Sequence, residues 1–180
     1  MVYLVGGPPR CGKSELARRL AKSDAIAFVP TDLLWAVLEV AHLDWQTPME
    51  KGPHRIPRAA AMFQPYLERA VSYLDSSHQS MGIEGEVVLP ETAAQLRSDY
   101  DVAVVFLVRH AATPADLRDG RGPNPWLLDA EPQVVASVAA EVAAWSARVE
   151  QACGRLSIPC FDVGVDFDWA MADAAQALTN

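Results

Sequence analysis

Apolar residues along this chain follow two rhythms. Short continuous runs predict strands: "VYLVG" at 2–6, "AIAFVPTD" at 25–32, "DVAVVFLV" at 101–108 and "IPCFDVG" at 158–164. The first is β-branched and unbroken, as in a strand buried on both faces. "MGIEGEVVL" at 81–89 predicts a further strand, or a strand with a turn at its end. Between these runs apolar positions recur at helical spacing. Leu16, Ala17, Leu20 and Ala21 share one face, and "DLLWAVLEVAHL" at 32–43 reads as helix. Much of 59–79 is helical, with Pro65 either opening or kinking it. Pro90 opens another helix, and Val135, Val138, Val142, Trp145 and Val149 form the 3-4-3-4 stripe of a long one. "DFDWAMADAAQAL" closes the chain as a helix capped by Asp166.

Strands alternating with helices predict right-handed crossovers, hence an α/β domain with a parallel sheet covered on both faces. Ligands of such sheets bind beyond the carboxyl ends of the strands, so functional residues are expected just after each strand. Two segments interrupt the rhythm. "WQTPMEKGPHRIPR" at 45–58 holds three prolines and a glycine and reads as a loop. Residues 110–130 form a second loop-rich stretch. In it Thr113-Pro114-Ala115-Asp116 is a helix-start signature and Gly120 the stop.

Composition narrows the function. At 180 residues the chain reads as a single domain, residues 1–180. No apolar run approaches the roughly 20 residues of a bilayer span, and the first run lacks the features of a signal peptide. A cytoplasmic location without a membrane partner is therefore expected. A net charge of -8 argues against nucleic-acid binding. The three cysteines, Cys11, Cys153 and Cys160, have no C-x-x-C spacing and predict neither a disulfide framework nor structural zinc. His42, His54, His78 and His110 stand singly.

The specific signal is "GGPPRCGKS", with Gly7, Gly12, Lys13 and Ser14 in the pattern G-x-x-x-x-G-K-S between a strand and an amphipathic helix. Glycines there turn backbone N–H groups inward to form an anion nest at a helix N-terminus. Lys13 adds charge toward the β- and γ-phosphates, and Ser14 supplies a hydroxyl for Mg²⁺. Pro8 and Pro9 donate no N–H, so the cradle rests on Arg10, Cys11, Gly12, Lys13 and Ser14, with Glu15 next. Cys11 reads as packed filler rather than nucleophile. ATP and Mg²⁺ are the implied cofactors.

GTPases of this kind need N-K-x-D, which is absent. The remaining parts are those of a small kinase. Asp32, at the end of the second strand, either prepares an acceptor hydroxyl or caps the following helix. Glu84, in "GIEGE", is a candidate for Mg²⁺ or the acceptor, Gly85 for close backbone approach, and Glu86 competes for the same task. "RHAATPADLRDGRGPNPW" at 109–126 reads as a short lid. Arg118 and Arg121 there are placed to offset γ-phosphoryl charge, with Arg109 as an alternative. Lys51, His54, Arg55 and Arg58 form a positive cluster that either receives an acceptor phosphate or carboxylate or is screened surface. Trp35 either walls the acceptor pocket or belongs to the core.

These motifs, "GGPPRCGKS", Asp32 in "VPTD", "IEGEVVLPE" and "FLVRH", resemble those of P-loop kinases of the nucleoside-monophosphate-kinase-like group. They are most similar to ATP-binding small-molecule kinases related to 2-phosphoglycerate kinase, chloramphenicol phosphotransferase and shikimate kinase. The resemblance implies a three-layer P-loop NTPase fold with a five-stranded parallel sheet ordered 2-3-1-4-5, and Mg-ATP as donor. It implies adenine contacts at Gly164 and Val165. The expected protein is an ATP-dependent phosphotransferase acting on a small-molecule acceptor, as a monomer or homodimer. The competing expectations are a nucleotide-binding regulator or partner-dependent ATPase, and a nucleoside monophosphate kinase. The lid is short and a base-binding segment is not recognisable, which sets the chain apart from the last.

Overall fold

The computed structural model describes residues 1–41, 55–118, 127 and 129–180. Five strands form one parallel sheet: β1 (Val2–Gly6), β2 (Ala27–Pro30), β3 (Met81–Gly85), β4 (Val102–Val108) and β5 (Cys160–Asp162). Their spatial order is β2-β3-β1-β4-β5, as the resemblance implies. The connecting helices are α1 (Lys13–Ser23), α2 (Thr31–Ala41), α3 (Ile56–Ser76), α4 (Pro90–Asp99), α5 (Pro114–Arg118), α6 (Pro132–Leu156) and α7 (Phe167–Thr179).

Alternation along the strands separates two cores. Val2, Leu4, Ile83, Val104 and Phe106 face one side, packed by Phe63, Leu67 and Val71 of α3 and Leu96 of α4. Val5, Val105 and Leu107 face the other, packed by Leu16 and Leu20 of α1 and by Ala170, Met171 and Ala174 of α7. Helix α6 serves both layers. Its Val135, Val138 and Val142 join the second core, and its Val149 and Cys153 the first. That division accounts for the length of the valine stripe. Among the described residues no helix is long and apolar enough to cross a membrane.

Several elements begin where local chemistry places them. Pro90 lies in the first turn of α4, and Asp166 caps α7 by accepting the Trp169 N–H at 3.0 Å. Thr113 and Asp116 form a reciprocal capping box ahead of α5, with Asp116 Oδ2 accepting the Thr113 N–H at 2.8 Å. Two expectations need correction. The loop predicted over 45–58 ends early, because α3 starts at Ile56 with Pro57 in its first turn, where a missing N–H costs nothing. Residues 45–54 of that loop lie outside the described residues. Pro65 does not open a helix either, since it lies inside α3.

Candidate functional site

Strand β1 delivers the chain into the phosphate-loop sequence beside β3 and β4. The loop uses backbone conformations that L side chains rarely adopt: φ is 135° at Gly7, 64° at Arg10 and 84° at Gly12. Glycine tolerates these angles, and Arg10 is the one side-chain-bearing residue of the loop held in the left-handed region. The first-turn N–H groups of α1 have no intrahelical acceptors and carry the positive end of the helix dipole. Lys13 is 9% exposed, and its Nζ donates to the Pro8 carbonyl at 2.8 Å, folding the ammonium back across the loop. An ammonium has three donors, so others are left for phosphate oxygens.

The remaining loop residues divide by side chain. Cys11 is fully buried in the second core, its thiol pushed up to about 12 chiefly by burial, so it packs rather than reacts. Glu15 turns away to Arg18 and Arg19, and its side chain is committed to them. The Arg18 hydrogen bonds, then those of Arg19, hold its carboxyl down at about 2. A depressed carboxyl stabilises the fold above its ordinary value of 4.5, and that contribution is lost as pH falls toward about 2. In urea unfolding, Glu15→Gln is therefore expected to be the less stable protein at pH 7. The gap to wild type should close below about pH 4.5; a gap constant down to pH 2 contradicts the pairing.

Three carboxylates gather at the adjoining strand ends. Glu84, the penultimate residue of β3, is 6% exposed, and its Oε1 accepts from Ser14 Oγ at 2.8 Å. The register pairs Pro30, the last residue of β2, with Glu84, and the next step along both chains brings Thr31 beside Gly85. Contact confirms that step: a Cβ built on Gly85 would lie 1.8 Å from Thr31 Oγ1. That hydroxyl is buried without a hydrogen-bond partner among the described residues. Asp32 lies within the first turn of α2, exposed, where its charge suits the helix dipole. It does not serve as the N-cap, because α2 already begins at Thr31. Asp32 has no hydrogen-bond or ion-pair partner among the described residues.

Glu86 is the residue the sequence left undecided. Its side chain is 11% exposed and ion-paired with Arg55, which directly precedes α3. Burial pushes its carboxyl up, the charges of Arg55 and Lys13 oppose the shift, and Asp32 adds to it. The coupling places Lys13, Asp32, Arg55 and Glu86 in one electrostatic neighbourhood. Arg58 lies exposed in the first turn of α3. Trp35 packs on the first core, its ring 6.3 Å from that of Phe63, and its Nε1 donates to Glu39 at 2.7 Å. Lys51, His54 and Arg121 lie outside the described residues.

On the β4 side, Arg109 directly follows the strand. Its Nη1 donates to Asp116 Oδ1 at 2.9 Å, tying the strand end to α5, while its Nε is buried without a partner among the described residues. Arg118 is anchored elsewhere, its Nη2 donating to the Ala130 carbonyl at 3.2 Å. The Arg109 stem passes beside Gly164, 3.6 Å from where a Cβ there would stand. Gly164 is held by its N–H to Asp162 Oδ1 at 2.8 Å, and Val165 beyond it is 89% exposed. The structure thus brings Arg109, rather than Arg118, against the loop expected to receive a base. Its position immediately after "VFLV" was the available signal.

The oxygens of Ser14 and Glu84 also pass a test for Mg²⁺. Mg²⁺ takes hard oxygen ligands, usually one or two from the protein with water and phosphate supplying the rest. The two oxygens stand 2.8 Å apart, one neutral and one anionic, and both hard. Among the described residues no group of three or more His, Cys, Asp or Glu offers a self-sufficient metal site. The pair therefore fits a cation that arrives with phosphate and water as its other ligands.

A gluconokinase from Sinorhizobium meliloti 1021 shares the architecture, with a TM-score of 0.54, 16% identity, and 98% of this chain and 90% of that one covered. The fold is that of the small-molecule P-loop kinases. An uncharacterized protein from Eubacterium ventriosum ATCC 27560 matches with a TM-score of 0.54, 15% identity and coverage of 99% and 97%. A shikimate kinase from Acinetobacter baumannii, solved with shikimate, gives 0.50, 16%, and 97% and 88%. No protein-family model matches the chain, and no curated protein does. At such identities the likeness establishes the kinase fold and leaves the chemistry to this chain's own residues.

Proposed function

We propose that this protein is an ATP-dependent phosphotransferase that moves the γ-phosphoryl of Mg-ATP to a small-molecule acceptor in the cytoplasm. The observation that carries the reading is the juxtaposition of two sets of groups at one end of the sheet. Lys13 and Ser14, the latter bonded to Glu84, face the phosphate side. Asp32 and Glu86 directly follow Thr31 and Gly85, which meet at the adjoining strand ends. That the fold is shared with a gluconokinase and a shikimate kinase adds support.

In this reading the loop amides and Lys13 hold the β- and γ-phosphates. Ser14 and Glu84 would hold Mg²⁺, which would supply charge neutralisation to the phosphate oxygens. Asp32 orients the acceptor hydroxyl and takes its proton as the oxygen attacks in line. Arg109 borders the base, and Arg118 and Arg121 serve the lid. Asp32→Asn is expected to keep Mg-ATP affinity within about threefold and to lower acceptor-dependent ADP release roughly 10²–10⁴-fold. A metabolite panel with Mg-ATP supplies the assay, and undiminished turnover in the variant removes Asp32 from this role.

One observation favours a second reading, a partner-dependent ATPase. Leu33, Val37 and Val40 form an apolar stripe on α2, 55%, 62% and 82% exposed. Acceptor-free ADP release stimulated by another protein, with no response to any small molecule, would select that reading.

A further inference from the structure

The charges of the acceptor side are already distributed, and that distribution specifies what the site takes. Lys13 is committed to the phosphate loop, and Glu84 to the Ser14 hydroxyl. Arg55, the cation beside the strand ends, is paired with Glu86. Glu86 is the more enclosed partner, at 11% side-chain exposure against 42% for Arg55, so the pair is anchored from the protein side. Among the described residues, the charge left unpaired at the head of α2 is the exposed carboxylate of Asp32.

We infer, building on the phosphotransferase reading, that the acceptor is a polyhydroxyl compound without an anionic group, and that Glu86 sets this preference by occupying Arg55. Arg55 keeps donors beyond the one given to Glu86, but an acceptor carboxylate or phosphate bound to them meets a cation whose charge Glu86 already offsets. That anion would also lie close to the carboxylate of Glu86, with that of Asp32 nearby and the Lys13 ammonium turned to the phosphate loop. A hydroxyl pair or an ammonium instead donates to Asp32 and leaves the ion pair intact. Discrimination comes from a repulsive element built against the wrong ligand as much as from attraction to the right one. The chemistry balances simply. The acceptor oxygen bonds to the γ-phosphorus, the β–γ bridging bond breaks, ADP leaves with the electron pair, and the hydroxyl proton passes to Asp32.

Four probes of related skeleton and different charge test the inference: D-glucose, D-glucosamine, D-gluconate and D-glucose 6-phosphate, each with Mg-ATP at fixed ionic strength. ADP release is read by chromatography, and Mg-ATP binding is measured in parallel. Wild type should respond to glucose or glucosamine and, at least about tenfold more weakly but measurably, to the two anions. Glu86→Gln should raise the gluconate-to-glucose rate ratio by about tenfold or more, because Arg55 is released to an incoming anion. Arg55→Gln should lower the gluconate-to-glucosamine ratio, which keeps the test open if the first variant does not fold. A wild type that favours gluconate, ratios unchanged in both variants, or no response to any probe overturns the inference. Absence of Mg-ATP binding by wild type would instead overturn the phosphotransferase reading beneath it.

Discussion

Lys13→Met is expected to lower Mg-ATP affinity by at least about 100-fold while leaving the fold intact. Methionine keeps the apolar stem that lies buried at the start of α1 and removes only the ammonium. That ammonium is enclosed, 9% exposed, and rests on the Pro8 carbonyl at 2.8 Å. Two hydrogen bonds to charged phosphate oxygens contribute about 1.5–3 kcal/mol each, and each 1.4 kcal/mol is a factor of ten. The loss is therefore about two orders of magnitude at the low end. Stability should change far less, since the variant gives up one bond to Pro8, worth about 1 kcal/mol. Fluorescent-nucleotide titration with circular dichroism on the same sample checks both halves. Unaltered affinity in a folded variant would remove the phosphate site from this loop.

The asymmetry in that prediction mirrors what the sequence could convey. Where one residue decides a local conformation, the sequence was legible. Pro90 opens a helix, Asp166 caps one, and Thr113 with Asp116 starts a third, because each satisfies or avoids first-turn N–H groups within four residues. The strand runs were legible for a related reason, since burial on two faces demands continuous apolar sequence. Pro57 shows the limit of this reasoning. The same residue signals a loop or the first turn of a helix, and only the tertiary position of α3 chooses between them.

The site was legible on its phosphate side and opaque on its acceptor side. A phosphate loop is contiguous, so its geometry follows from spacing. Glu86 and Arg55 meet from 31 residues apart, and no local pattern announces their pairing. Only the fold brings the residue ahead of α3 to the turn that follows β3. For the same reason Arg55, read as part of an acceptor-binding cationic cluster, is already engaged. Glu15 was placed at the nucleotide by adjacency to Ser14, whereas helical periodicity sends its side chain to Arg18 and Arg19.

Gly7→Ala is expected to be the most damaging single-methyl substitution at the site, for two reasons that add. The backbone there has φ of 135°, where an L residue is strained by about 1–3 kcal/mol. The new Cβ would also stand 2.0 Å from the Leu107 carbonyl oxygen, a backbone atom inside β4. Relieving that overlap means moving the strand or the loop, at a further cost of about 1–3 kcal/mol typical of overpacking. A total of about 2–6 kcal/mol lowers Tm by roughly 5–20 °C in a chain of this size. Gly85→Ala provides the contrast. Its Cβ would meet Thr31 Oγ1 at 1.8 Å and Thr31 Cγ2 at 2.7 Å, all side chain, so adding Thr31→Gly should recover much of the loss. No second substitution can rescue Gly7→Ala, because the obstacle is a carbonyl that every residue carries. Calorimetry on the three variants measures the difference. A Gly7→Ala protein that melts with wild type and binds Mg-ATP normally would show that the loop does not lie against β4, and would detach the phosphate site from the strand ends on which the acceptor groups stand.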